Sequence, residues 1–424
     1  MGRRVPTAIL PALVVAALTL GPAGQGWSAA SPLGPGPSAA HAFGSHLTLA
    51  QAPAALRGAV VGALGRSFTI QELTASDGNP KDFFGISVAL SGTTALVGTD
   101  GPGVAYVFTE SAGVWSQQAE LSVPGVVEND WFGTAVALSG TTALVGAYGE
   151  DGGAGAAYAF TESDGVWSEQ AELTASDAEP GDEFGTSVAL SGTAALIGAE
   201  GSQSGGQAYV FTERAGVWQQ QAELTAPGNT GPYNFFGSSV ALSGTRALIG
   251  ADNTNSATGA AYVFTEAGGV WSEQAELTAS DASTGAGFGS SVALSGTTAL
   301  IGSWLKASET GAAYVFTGVD GVWSQKAELT ASDAGSSDRF GFSVALAKTT
   351  ALIGAPGVRG GVGATYVFRD SDDVWSQRAE ETVPGSPNWA AALGCSVAIS
   401  GSKAIVGAET DADDDGAVFV AQAQ

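Results

Sequence analysis

At 424 residues with 62 glycines and 44% hydrophobic residues, the chain is too apolar to be disordered and too rich in glycine to be a long-helix protein. Acids outnumber bases 41 to 15, and the net charge of −26 argues against nucleic acid or an anionic membrane as partner while leaving cations and basic groups open. A single cysteine, Cys395, rules out a disulfide framework, so stability must come from packing.

The chain starts Met-Gly-Arg-Arg, continues with an apolar run from Ala8 to Leu20 and reaches Ser28-Ala29-Ala30, the layout of a secretory signal peptide over residues 1–30. Cleavage after Ala30 is the first choice and after Ala42 the alternative, and Arg3-Arg4 also fits a twin-arginine route. The apolar run is too short to span a bilayer, and no later segment is long and apolar enough, so the expectation is a secreted or cell-surface protein with no transmembrane segment. Residues 31–66 are rich in Ala, Gly and Pro, contain both histidines, His41 and His46, and read as a linker.

From residue 67 onward the sequence repeats. Phe-Gly recurs at Phe84-Gly85, Phe132-Gly133, Phe184-Gly185, Phe236-Gly237, Phe288-Gly289 and Phe340-Gly341, with a degenerate Leu393-Gly394 as the seventh copy, at spacings of 48, 52, 52, 52, 52 and 53 residues. A period of this length with short β-like runs predicts a propeller.

Turn residues divide the first unit into four strands: Ser87–Leu90, the buried run Ala95–Gly98, Ala105–Phe108, and Val114–Leu121. In the fourth strand strict alternation puts Trp115, Gln117, Ala119 and Leu121 on one face and Val114, Ser116, Gln118 and Glu120 on the other, and its polarity suits an outer edge. That Trp recurs at Trp167, Trp218, Trp271, Trp323 and Trp375, giving six fourth strands for seven units. The seventh unit ends after its third strand, and Ser67–Thr74 carries the missing fourth-strand pattern. Residues 67–424 are therefore expected to form an all-β, seven-bladed β-propeller with four antiparallel strands per blade, the N-terminal strand closing the last blade.

Phe-Gly followed about a dozen residues later by Gly-Ala, as in Gly146-Ala147, Gly198-Ala199 and Gly354-Ala355-Pro356, resembles the FG-GAP repeat of integrin alpha-subunit propellers and their bacterial relatives. The resemblance implies a role in adhesion or ligand binding. It also implies Asp-rich calcium loops between strands one and two in some blades. Here that connection is Ser-Gly-Thr or a close variant in every unit, too short to surround an ion that needs six to eight oxygens, so those calcium sites do not carry over.

Antiparallel blades place the two-to-three and four-to-one loops on one face. These loops vary between units, hold more than half of the 41 acids and include only four bases, Lys81, Lys306, Arg339 and Arg359. Their aromatic residues Tyr148, Tyr233, Trp304 and Trp389 are the candidate ligand contacts. Phe83, Trp131 and Phe235, each before a Phe-Gly pair, are expected to pack within the blades.

Asp411, Asp413 and Asp415 stand in an Asp-x-Asp-x-Asp-Gly run that could turn three carboxylates to a Ca²⁺ ion, although Gln422 occupies the place of the distal acid. No cofactor is required by any motif. The propeller has no histidine, which removes Ser/His and Cys/His nucleophile systems, and Cys395 aligns with Ile86 and Thr134 as a core residue. The leading expectation is a non-catalytic binding or adhesion module for an extracellular glycan or protein. The alternatives are a carboxylate-based polysaccharide-degrading enzyme and a passive envelope or matrix protein.

Overall fold

The computed structural model describes residues 68–77, 82–100, 103–201, 205–227, 233–381, 391–410 and 415–423, all within one compact unit, Gly44–Gln424. The expected signal peptide and linker lie outside the described residues. Among the described residues, seven separate four-stranded antiparallel sheets account for all the strands; in six of them strand order follows chain order, and in the seventh the first strand of the chain lies outside the last. Blade one is Val88–Ser91, Thr94–Gly98, Val104–Ser111 and Val114–Ser122. First strands of successive blades abut all the way round, blade seven against blade one included, so they form the inner wall of a closed ring.

The seventh sheet is built as expected. Strand β1 (Phe68–Leu73) pairs antiparallel with the last strand, Ala417–Ala423, from Phe68 opposite Ala423 to Leu73 opposite Val418. Among the described residues no helix is long and apolar enough to cross a membrane.

The Phe-Gly and Gly-Ala pairs are the joints between blades. Each Phe of the six intact pairs is at most 1% exposed, and Phe84 meets Tyr106 and Phe108 of its own blade at 5.6 and 5.9 Å. Burying such a ring contributes roughly 2–3 kcal/mol. The glycines are there for backbone clearance: a Cβ on Gly98 would lie 1.9 Å from the Gly133 carbonyl of the next blade.

Six of the seven joints are also bolted by a hydroxyl. Ser87 donates to the Gly133 carbonyl at 2.6 Å, Ser187 to Gly237 at 2.7 Å, and Ser239, Ser291 and Ser343 repeat the bond around the ring. Ser396 closes it onto Gly85 at 2.6 Å. The joint from blade two to blade three has no such bond, because Ala135 stands where the serine would be.

One expectation is corrected. In blade one the third and fourth strands shift register between Val107 and Phe108, so that Val107 faces Ala119 and Phe108 faces Gln117, leaving Gln118 as a bulge. The same shift recurs in blades two to six. Trp115 and Leu121 therefore lie on opposite faces: Trp115 packs with Tyr106 and Phe108 against blade seven, and Leu121 with Val107 against blade two. Strict alternation fails because the extra residue resets the pleat, and a bulged outer strand is also a poor template for edge-to-edge pairing.

Candidate functional site

The two-to-three and four-to-one loops share a face, as antiparallel strands require, and they bond to one another there. Gly149 donates its N–H to the Asp130 carbonyl, Gly201 to Asp182 and Gly357 to Asp338, each at 3.1 Å. The clasp is extended by the two-to-three loops of blades four and five, which hold three consecutive left-handed residues, Asn255 to Ala257 and Ala307 to Glu309. Left-handed geometry costs an L-residue about 1–2 kcal/mol. It points the Ala257 and Glu309 carbonyls at the N–H groups of Gly287 and Arg339, 2.8 and 2.7 Å away. The loop face is thus held by backbone bonds, leaving side chains free to differ.

On that platform the residue directly after each Gly-Ala pair occupies an equivalent place in every blade: Asp100, Tyr148, Glu200, Asp252, Trp304, Pro356 and Glu409. These residues leave the ends of the second strands, beside the innermost ones, and form a rim. Five of them from consecutive blades influence one another electrostatically, in the order Glu409, Asp100, Tyr148, Glu200, Asp252.

Burial is the main cause of the rim's altered acidity. It lifts Glu200 from its ordinary 4.5 to about 7, with Asp252 and Glu183 adding repulsion and a 3.3 Å hydrogen bond from Thr186 opposing it. Burial likewise raises Asp252, and burial with Glu128 raises Asp100. Tyr148 is pushed to about 12 by burial, then by Asp100, Glu183 and Glu200.

The expected ligand contacts do not converge. Tyr148 stacks on Trp131 of the adjoining four-to-one loop, with ring centroids 5.8 Å apart and planes 9° apart. Trp304 is three blades away, edge-on to Phe342 at 5.6 Å, with the Arg339 guanidinium 5.4 Å from its ring and ion-paired to Glu309. Tyr233 lies in the loop before blade four and is 69% exposed. Trp389 lies outside the described residues.

The expectation that Trp131 packs within its blade does not hold. The residue before each Phe-Gly pair is left-handed (φ 46° at Phe83, 58° at Trp131, 57° at Phe235), and Trp131 is 37% exposed on the loop face. Phe83 and Phe235 are half-buried.

Outside the rim, the third-strand tyrosines donate their hydroxyls to loop acids: Tyr106 to Asp77 at 2.9 Å, Tyr158 to Glu150 at 2.6 Å and Tyr366 to Asp333 at 3.0 Å. In blade five Lys306 enters this cluster and bonds to Asp281, Glu328 and the Tyr314 hydroxyl. Burial alone would lower the lysine's pKa, but the two carboxylates outweigh it and the pKa rises.

Cys395 is buried, 3.5 Å from the Gly85 carbonyl. Burial and then Glu409 push its thiol up to about 12, so it stays protonated and unreactive at neutral pH. Of the proposed calcium ligands, Asp411 and Asp413 lie outside the described residues. Asp415 is described, and its carbonyl accepts the Phe84 N–H at 3.3 Å. Among the described residues no group of three or more His, Cys, Asp or Glu is placed to hold a metal ion.

Reading the loops for aromatic residues missed the carboxylates Asp100, Glu200, Asp252 and Glu409. The available signal was positional: each stands one residue past a Gly-Ala or equivalent pair.

The sequence pattern of the FG-GAP repeat matches this chain six times, over residues 68–108, 115–160, 167–211, 218–264, 271–316 and 323–368. No curated protein matches it by sequence. Among solved structures, a chain in a crystal structure of the mitotic checkpoint complex is similar in shape, with a TM-score of 0.54 at 12% identity over 83% of this chain and 93% of that one. At that identity the likeness shows the fold alone.

Proposed function

The chain belongs to the FG-GAP repeat family, and from that premise we propose that it is a non-catalytic binding or adhesion module, secreted or displayed at the cell surface, whose loop face engages an extracellular glycan or protein. One observation carries this reading: a uniform scaffold presents five different residue types at seven equivalent positions around the rim, from Asp100 to Glu409. Selection for packing alone has no use for Asp, Tyr, Glu, Trp and Pro at the same joint, whereas a surface that recognises a polar ligand does. The stacked Trp131–Tyr148 pair offers a flat apolar face next to carboxylates, a combination suited to a sugar ring or to a basic side chain.

The reading is tested by screening the full chain against arrayed glycans and extracellular proteins, then repeating any positive with Tyr148→Ala, Trp304→Ala and a variant carrying Asp100→Asn, Glu200→Gln and Asp252→Asn. Loss of binding with retained thermal stability supports the loop face. Binding indifferent to all three variants overturns it.

A further inference from the structure

Five of the seven joints between blades follow one recipe, and the joint between blades seven and one changes only its alanine, to Val418. In the joint between blades two and three, Ala157 and Leu173 of blade two meet Phe184, Tyr209 and Phe211 of blade three. The joint between blades six and seven departs at each of these places. By ladder register, Thr365 replaces the alanine, Glu381 the leucine, Phe419 the tyrosine and Ala421 the second phenylalanine, while Leu393 replaces the first.

The consequences are visible in the core. Among the described residues, the buried apolar set at this joint is Ala345, Leu352, Ala391, Leu393, Val406 and Ala408, against 13 residues at the joint between blades two and three and 11 at the joint between blades seven and one. Thr365 is 0% exposed, and among the described residues its Oγ1 has no hydrogen-bond partner. Glu381 stands opposite it on the ladder, and burial holds its carboxyl above the usual range. A buried hydroxyl left unpaired, a desolvated carboxyl and a missing aromatic ring each oppose closure.

The sheet in which the chain ends meet, and its joint with blade one, are better made. Strand β1 and the last strand share six ladder pairs, and Leu73 is 3% exposed. We propose that the ring opens between blades six and seven, with blade seven staying attached to blade one and carrying both chain ends as one piece. The chain ends are paired inside blade seven, and the side chains place the weak point at the joint just before that blade.

Hydrogen exchange read by mass spectrometry on the full chain tests this directly. The N–H groups of Ala392 and Leu393 bond across the joint to Gly361 and Val362, and those of Glu183 and Phe184 make the same bonds to Gly153 and Ala154 between blades two and three. The first pair is expected to exchange at least about tenfold faster than the second. The double variant Thr365→Ala with Glu381→Leu should slow exchange at the first pair, and the reverse graft Ala157→Thr with Leu173→Glu should speed it at the second. Equal protection of the two pairs in the unaltered protein overturns the proposal. So does exchange of the β1 amides ahead of Ala392 and Leu393, or a double variant that folds and exchanges unchanged. If either variant fails to fold, the comparison within the unaltered protein decides alone.

Discussion

Ser396 donates its hydroxyl to the carbonyl of Gly85, a 2.6 Å bond between residues 311 positions apart that repeats at the point of closure what Ser87 does for Gly133 within the chain. Ser396→Ala should therefore cost about 1 kcal/mol of stability. Ala135→Ser, which supplies the one missing bolt, should gain about 0.5–1 kcal/mol if the new hydroxyl reaches the Gly185 carbonyl. Urea denaturation of the two variants checks both signs, and a neutral Ala135→Ser would mean that the carbonyl is already well placed without it.

Gly198 and Gly192 are both in blade three but respond to different constraints. A Cβ at Gly198 would sit 2.0 Å from the Gly237 carbonyl, while one at Gly192 meets nothing within 4 Å and only suffers from φ +62°. Gly198→Ala is expected to cost more than about 3 kcal/mol or to abolish folding, because the blades must part. Gly192→Ala should cost about 1 kcal/mol from backbone strain alone. Thermal melts followed by circular dichroism separate the two.

Glu200 gives the rim a pH dependence. Its pKa in the fold, about 7, lies above its ordinary 4.5, so the native state holds the proton more tightly than the unfolded chain does. The stabilisation relative to the ionised group is complete below 4.5 and is lost as pH rises through 7. Glu200→Gln should therefore be more stable than the unaltered protein at pH 8, by roughly 1–3 kcal/mol after allowing for partial solvent contact, with the gap closing towards pH 4. Melting temperatures of both proteins across that range give the difference curve, and a gap independent of pH would contradict the assignment.

Lys306 neutralises two acids that would otherwise face each other across the Tyr314 hydroxyl. Its side chain is 16% exposed, whereas those of Asp281 and Glu328 are 43% and 38% exposed, so the network lies between surface and interior. Lys306→Met should cost about 1–2 kcal/mol, and added salt should recover part of the loss by screening the two carboxylates. Melts at low and high ionic strength check both parts.

Much of this architecture was legible before any coordinates. Phe84-Gly85 and its copies mark the joints because a buried ring and a close backbone contact recur wherever two blades meet, with the ring replaced only at Leu393. The match of β1 to the fourth-strand pattern likewise announced the shared blade. The face of Trp115 was not legible, since a bulge of one residue leaves no trace in composition. Nor was the role of Trp131, because its stacking on Tyr148 and its left-handed backbone leave no mark in the sequence pattern.

The repeating sequence by itself determined the number of blades, the order of strands and which loops share a face, since these follow from periodicity and chain connectivity. Only the tertiary structure decided that Glu409, Asp100, Tyr148, Glu200 and Asp252 act on one another, and that Thr365 and Glu381 weaken one joint. The first depends on contacts between blades, where residues some fifty or more positions apart meet in a shared low-dielectric environment, and the second on a ladder pairing that places both residues where blade six meets blade seven.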